Sequence, residues 1–224
     1  SALQREVKAA RAALTQGHLE AAQRAYCKAV RLDPTSAKHY FDLTNVLLLR
    51  RDGVAAVHWG SKGVQLDPTS TRGQALLGDA LARAGDAEGA RKAWQAAAGL
   101  TAPTSTEIEA MAQQNLHQAD GAAEARDYFR AERFFRRSAL LTPENLQANL
   151  GLSTALLRQG QAPAAAHWAR RAVALAPEDP VARLALGDAL LQANDTEAAK
   201  QEFLQADRMG HLGAKRRLYK LDLP

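Results

Sequence analysis

A proline recurs at helix ends in this chain at a fixed interval. Pro34 and Pro68 are one such pair and Pro143 and Pro177 another with the same separation, and each proline lies two residues after a leucine: Leu32, Leu66, Leu141, Leu175. A fixed period of about 34 residues restricts a chain to a stack of like units, each burying its apolar face against the next. Such a stack presents an extended surface to a partner rather than a deep catalytic pocket.

Counting each repeat so that its proline falls at position 32 aligns six copies. Position 8 is small in most of them: Ala10, Thr44, Gly78, Ala119, Ser153, Gly187. Position 20 is alanine in all six: Ala22, Ala56, Ala90, Ala131, Ala165, Ala199. Position 24 is aromatic in four: Tyr26, Trp94, Phe135, Phe203. Position 27 is small throughout, and position 15 or 17 often carries a glycine: Gly17, Gly53, Gly85, Gly160. Small residues let two helices approach closely, and an aromatic fills the space toward the next helix. A glycine suits the left-handed turn that ends a first helix. Proline ends the second helix by disfavouring a helical conformation in the residue before it. Polar caps such as Ser36, Ser70 and Asn145 open the next helix.

The pattern resembles the tetratricopeptide repeat, a helix–turn–helix unit of about 34 residues. The resemblance covers about residues 3–213. The third copy matches best, through Leu77-Gly78, Leu81, Gly85-Asp86, Ala90, Trp94, Ala97 and Leu100, with Pro103 one position late. The resemblance implies an all-α fold, a right-handed superhelical solenoid of about six repeats with a C-terminal capping helix. Two places depart from the family pattern: Gly60, where an aromatic is expected, and Met209-Gly210-His211, where leucine, an acidic residue and proline are expected. Trp59 is expected to supply the bulk missing at Gly60. Gly60 and Gly63 together predict a weak second helix that flexes on partner binding, each costing up to about 1 kcal/mol relative to alanine.

The repeats read as 3–36, 37–70, 71–104, 112–145, 146–179 and 180–213, with a cap over 212–224. Residues 105–111 are extra. They read most simply as added turns at the start of the fourth repeat's first helix, with an insertion near Asp120-Gly121 as the competing placement. Leu77–Leu81 recurs as Leu186–Leu190, and His58-Trp59 recurs as His167-Trp168, both at the same offset along the chain. Two copies of a three-repeat block therefore join at the extra segment. A change of superhelical curvature there and one smooth superhelix are both open. The chain opens at Ser1 rather than methionine, which suits a fragment or processed product of a longer protein.

Apolar residues make up 46% of the chain and aromatics only 5%, which fits alanine-mediated helix packing. No run approaches the length of a membrane span, so membrane insertion is not expected. The lone Cys27 cannot form an internal disulfide, which favours a cytoplasmic location, with the periplasm still open. The alanine- and arginine-rich composition suggests a bacterial source. The net charge of +5 arises largely from arginine pairs such as Arg136-Arg137 and Arg170-Arg171. They read as solvated helix surface, with no aromatic-interleaved basic face, so no nucleic-acid partner is expected. The six histidines never fall at helical metal-ligand spacing, and no phosphate loop or nucleophile motif is present. The expectation is no catalysis, no cofactor and no metal.

The resemblance also implies where a partner sits. First helices line the concave face, with groove residues near positions 2, 5, 6, 9, 12 and 13. The residues so placed are Val7, Arg11, Phe41, Asn45, Leu48, Arg72, Asp79, Leu116, Asp120, Leu150, Thr154, Leu157, Leu184 and Asp188. Two apolar rows flank a polar one, a trough for a peptide with apolar anchors. The polar row is expected to be positive toward the N-terminus and acidic toward the C-terminus. Any single position is open between partner contact and packing; the rows as a whole favour binding. One subclass of the family grips carboxylate tails through a set of lysine, asparagine and arginine side chains. Those positions here are Val7, Arg11, Asp42, Arg72 and Leu76, and only Arg72 matches, so a carboxylate clamp is rejected.

The leading expectation is a noncatalytic scaffold or adaptor that binds a protein or peptide in the groove. The alternative is a regulatory or targeting module of a larger bacterial protein, such as a kinase or motility regulator. An RNA-binding helical array ranks third.

Overall fold

The computed structural model describes residues 1–221. Among them are 13 α-helices and no strands. The last three residues of the expected cap, 222–224, lie outside the described residues. The chain divides into two compact units, Ser1–Thr104 and Ser105–Pro224. The division falls at the start of the extra segment.

The first unit holds α1 (Ala2–Thr15), α2 (Leu19–Leu32), α3 (Ala37–Leu49), α4 (Gly53–Leu66), α5 (Thr71–Ala84) and α6 (Ala87–Ala97). The second holds α7 (Ser105–Glu124), α8 (Tyr128–Leu141), α9 (Leu146–Arg158), α10 (Ala162–Leu175), α11 (Pro180–Gln192), α12 (Thr196–Arg208) and α13 (Leu212–Leu221). Within each unit every helix packs on its neighbours in sequence, and first helices also meet each other, as α3 meets α5 and α9 meets α7 and α11. Each unit is thus an all-α stack of antiparallel hairpins, of the repeat-solenoid class. The extra residues are helical, and α7 runs unbroken through Asp120 and Gly121.

The small-residue rows form the seams. All six position-20 alanines are fully buried, as are Ala10 and Ala119 at position 8. Two hydroxyls in these seams find backbone partners. The Thr44 hydroxyl donates to the Tyr40 carbonyl (2.8 Å), and the Ser153 hydroxyl donates across the helix pair to the Ala165 carbonyl (2.9 Å). The position-24 aromatics Tyr26, Trp94, Phe135 and Phe203 are all buried. Three of them press on a glycine. A Cβ at Gly78 would overlap the Trp94 ring, one at Gly151 the Phe135 ring, and one at Gly187 the Phe203 ring.

The second repeat reaches the same packing from the other side. Phe41 of α3 pushes its ring against both Gly63 of α4 and Gly73 of α5, where a Cβ would collide with it. Gly60 is buried, and a Cβ there would meet Thr44 and Leu77 rather than an aromatic ring. Trp59 is half-buried with its ring 5.9 Å from that of Tyr40. At Gly63 the helices close on the Phe41 ring.

The turn between paired helices is uniform in geometry but not in sequence. Position 15 takes a left-handed backbone in all six repeats: Gly17 (φ 74°), Arg51 (63°), Gly85 (95°), Arg126 (59°), Gly160 (74°) and Asn194 (64°). Gly53 is therefore not the turn glycine expected; it opens α4 with its Cα against the backbone of Arg83 and Ala84. The next residue caps the second helix. Asp52, Asp86, Asp127 and Asp195 each accept a hydrogen bond from the backbone N–H three residues on. Ser70 and Asn145 cap α5 and α9 in the same way, whereas Ser36 precedes α3 without a side-chain cap bond.

A second recurring contact ties successive repeats together. The side chain at position 4 donates to the carbonyl of the preceding proline: Tyr40 to Pro34 (3.1 Å), Gln74 to Pro68 (3.1 Å), Asn149 to Pro143 (3.1 Å) and Arg183 to Pro177 (3.0 Å). Proline ends the helix and leaves a carbonyl exposed at the loop; the donor one turn into the next helix satisfies it.

Candidate partner-binding groove

In the second unit, α9 and α11 present their first-helix faces side by side. A cleft of about 590 Å³ lies between them, lined by Thr154, Leu157, Arg158, Val181, Leu184 and Asp188, with Arg217 of α13. A second cleft of about 380 Å³ adjoins it, lined by Asp120, Leu146, Gln147, Leu150 and Gly151 over the Phe135 ring. Thr154 borders both, and the two clefts are together termed the trough. Its apolar lining is accessible: Val181 is 48% exposed, and Leu150, Leu157 and Leu184 are half-buried.

Of the residues placed in the groove from sequence, Asp120, Leu150, Thr154, Leu157, Leu184 and Asp188 meet in this trough. Four others do not serve as expected. Phe41 (4% exposed), Leu48 (1%) and Leu116 (2%) are core residues, because each lies where neighbouring helices close over the row. A Phe41→Glu substitution therefore disrupts packing rather than a binding surface. Asp79 is buried and accepts a hydrogen bond from the Trp94 indole Nε1 (3.2 Å). In the first unit Val7 and Asn45 are half-buried, and Arg11 and Arg72 are exposed. Arg72 Nη2 donates to Asp42 Oδ1 (2.6 Å). Burial pushes the Tyr26 hydroxyl above its usual range, and Asp42 adds to this; Arg11 and Arg72 offset part of it.

One of the two carboxylates at the acidic end of the polar row is paired with a cation within the second unit. Both Asp188 carboxylate oxygens are held by Arg217, Oδ2 by Nη2 (2.6 Å) and Oδ1 by Nε. Asp120 accepts from Gln147 Nε2 (3.1 Å). Sequence reasoning missed Arg158, Val181 and Arg217. The first two stand at positions 13 and 2, which the register already marked as groove-facing. Arg217 lies beyond the repeats, where the register gives no guidance.

Among the described residues no group of three or more His, Cys, Asp or Glu side chains could hold a metal ion. Nor, among them, is any helix long and apolar enough to cross a membrane.

A tetratricopeptide repeat family model matches residues 7–71 and 116–180, more than half of the chain, and a second tetratricopeptide repeat model matches 156–211. The chain belongs to the tetratricopeptide repeat family. A protein-interaction scaffold is the class of function that this membership and the trough support. No curated protein matches the sequence. Among solved structures, the chain is similar to the MamA protein (17% identity over 100% of this chain and 97% of that one, TM-score 0.40). It is also similar to YrrB, described as a TPR protein with an unusual peptide-binding site (14%, 88% and 98%, TM-score 0.45). A third is the TPR2AB domain of yeast Sti1 in complex with pHSP90 (14%, 98% and 96%, TM-score 0.46).

Proposed function

We propose that this chain is a noncatalytic adaptor that holds an apolar segment of a partner protein in the trough between α9 and α11. The observation that carries this reading is the pair of clefts that share Thr154, with Leu150, Leu157, Leu184 and Val181 presenting aliphatic surface along them. Cavities of a few hundred Å³ with apolar walls and a few polar groups are the usual form of a recognition site. Leu150 and Leu184 would seat the partner's apolar anchors, and Arg158 with the Asp188–Arg217 pair would fix its orientation. Side chains already braced by neighbouring helices lose little freedom on binding.

The test is affinity capture from native lysate with the wild-type chain and Leu150→Glu in parallel, circular dichroism confirming equal helicity. A protein retained by the wild type and lost with Leu150→Glu supports the reading. An unchanged set of captured proteins refutes it.

A further inference from the structure

One stretch of this protein is strongly basic. Residues 126–171 hold eight arginines against three acidic side chains, an excess of five that equals the net charge of the whole chain, +5. Two of the three acids are committed locally. Asp127 caps α8, and Glu132 is fully buried, bonded to Arg136 (2.9 Å) and to Gln159 (3.1 Å).

Folding sets four of these eight arginines over two aromatic rings. Arg130 and Arg137 lie over the Phe134 ring, with guanidinium carbons 5.7 and 5.2 Å from its centroid. Arg136 and Arg171 lie over the Trp168 ring at 5.9 and 5.1 Å, joining α8 to α10. The sequence reading found no aromatic-interleaved basic face; the folded second unit has one. None of these four guanidinium groups lines the trough. A guanidinium stacked on a ring has lost much of its rotamer freedom in advance, so it surrenders less on meeting an anion.

We infer that the arginine-clad side of α8 and α10 binds an acidic segment of a protein. Charge complementarity selects an anionic partner. The rings decide its class. Single-stranded nucleic acid is held by bases stacking on open aromatic faces. Trp168 is 7% exposed, and the Phe134 ring is half-buried under two arginines, so neither offers such a face. Arg136 is committed to the buried Glu132, so the ring-held Arg130 and Arg171 carry the recognition of carboxylates. This surface is separate from the trough, so one chain could hold two partners, or two segments of one.

The test uses the full chain and fluorescence anisotropy with three probes: a labelled peptide rich in Asp and Glu, its Asn/Gln counterpart, and a single-stranded oligonucleotide. The expected result is binding of the acidic peptide alone, weakening as salt rises. The double variant Arg130→Glu/Arg171→Glu should lose roughly tenfold or more of that affinity, with helicity unchanged by circular dichroism, while Leu150→Glu retains it. No binding of the acidic peptide, equal binding by the double variant, or tighter binding of the oligonucleotide would each overturn the inference. Loss with Leu150→Glu instead would transfer the acidic peptide to the trough and overturn it as well.

Discussion

Trp94 and Asp79 share a buried hydrogen bond, the indole Nε1–H donating to the carboxylate across 3.2 Å. The same pentapeptide, Leu-Gly-Asp-Ala-Leu, recurs at Leu186–Leu190, but there position 24 is Phe203, which has no donor. Its aspartate, Asp188, turns instead to Arg217 of α13. One sequence motif thus has two outcomes, set by the donors that the neighbouring helices offer its aspartate. Trp94→Phe should cost about 1–3 kcal/mol, since it deprives a buried carboxylate of one donor. Urea denaturation of the two proteins checks this.

The helical glycines divide by what surrounds them. Gly63 and Gly187 face the Phe41 and Phe203 rings, while Gly121 on α7 faces open space. Gly63→Ala and Gly187→Ala should each destabilise by about 1–3 kcal/mol through overpacking. Gly121→Ala should stabilise by about 0.5–1 kcal/mol through reduced backbone entropy in the unfolded chain. Opposite signs in melting temperature would establish the distinction; a common sign would refute it.

Arg126 is exposed and held at φ 59° in a turn where three of the six repeats have glycine. Left-handed backbone costs a side-chain-bearing residue roughly 1–2 kcal/mol, of which glycine returns a part as unfolded-state entropy. Arg126→Gly should therefore raise stability by about 0.5–1 kcal/mol, read as a higher melting temperature.

Burial pushes the Cys27 thiol above its ordinary range, with Arg31 pulling it partly back. The thiolate is the reactive form, so Cys27 should alkylate more slowly near pH 8 than a cysteine in a short peptide, with its rate still rising at higher pH. Because the folded value lies above the unfolded one, the folded state holds its proton more tightly. That contribution is complete below the unfolded value and disappears as pH climbs through the folded one. Iodoacetamide kinetics across this range, with and without denaturant, measure both effects.

The seams of the fold were legible because they depend on size. An alanine at position 20 of every repeat has one physical use, and all six copies are buried. The turns were half legible. Glycine marks a left-handed backbone, but Arg51, Arg126 and Asn194 adopt it too, because the hairpin on either side dictates the angle. The groove was the least legible. Its rows follow the repeat, yet whether a row residue is open depends on the volume opposite. Phe41 is buried because Gly63 and Gly73 make room for it, while Leu150 is only half-buried. Arg217 could not be foreseen, since it enters the trough from outside the repeat pattern.

Tyr40, Gln74, Asn149 and Arg183 share neither size, charge nor aromaticity, yet all four fasten the same proline carbonyl. A latch that asks only for a proton at the right reach can be rebuilt from nearly any polar letter. The joints of this protein can therefore be respelled freely while the hinge they secure stays shut.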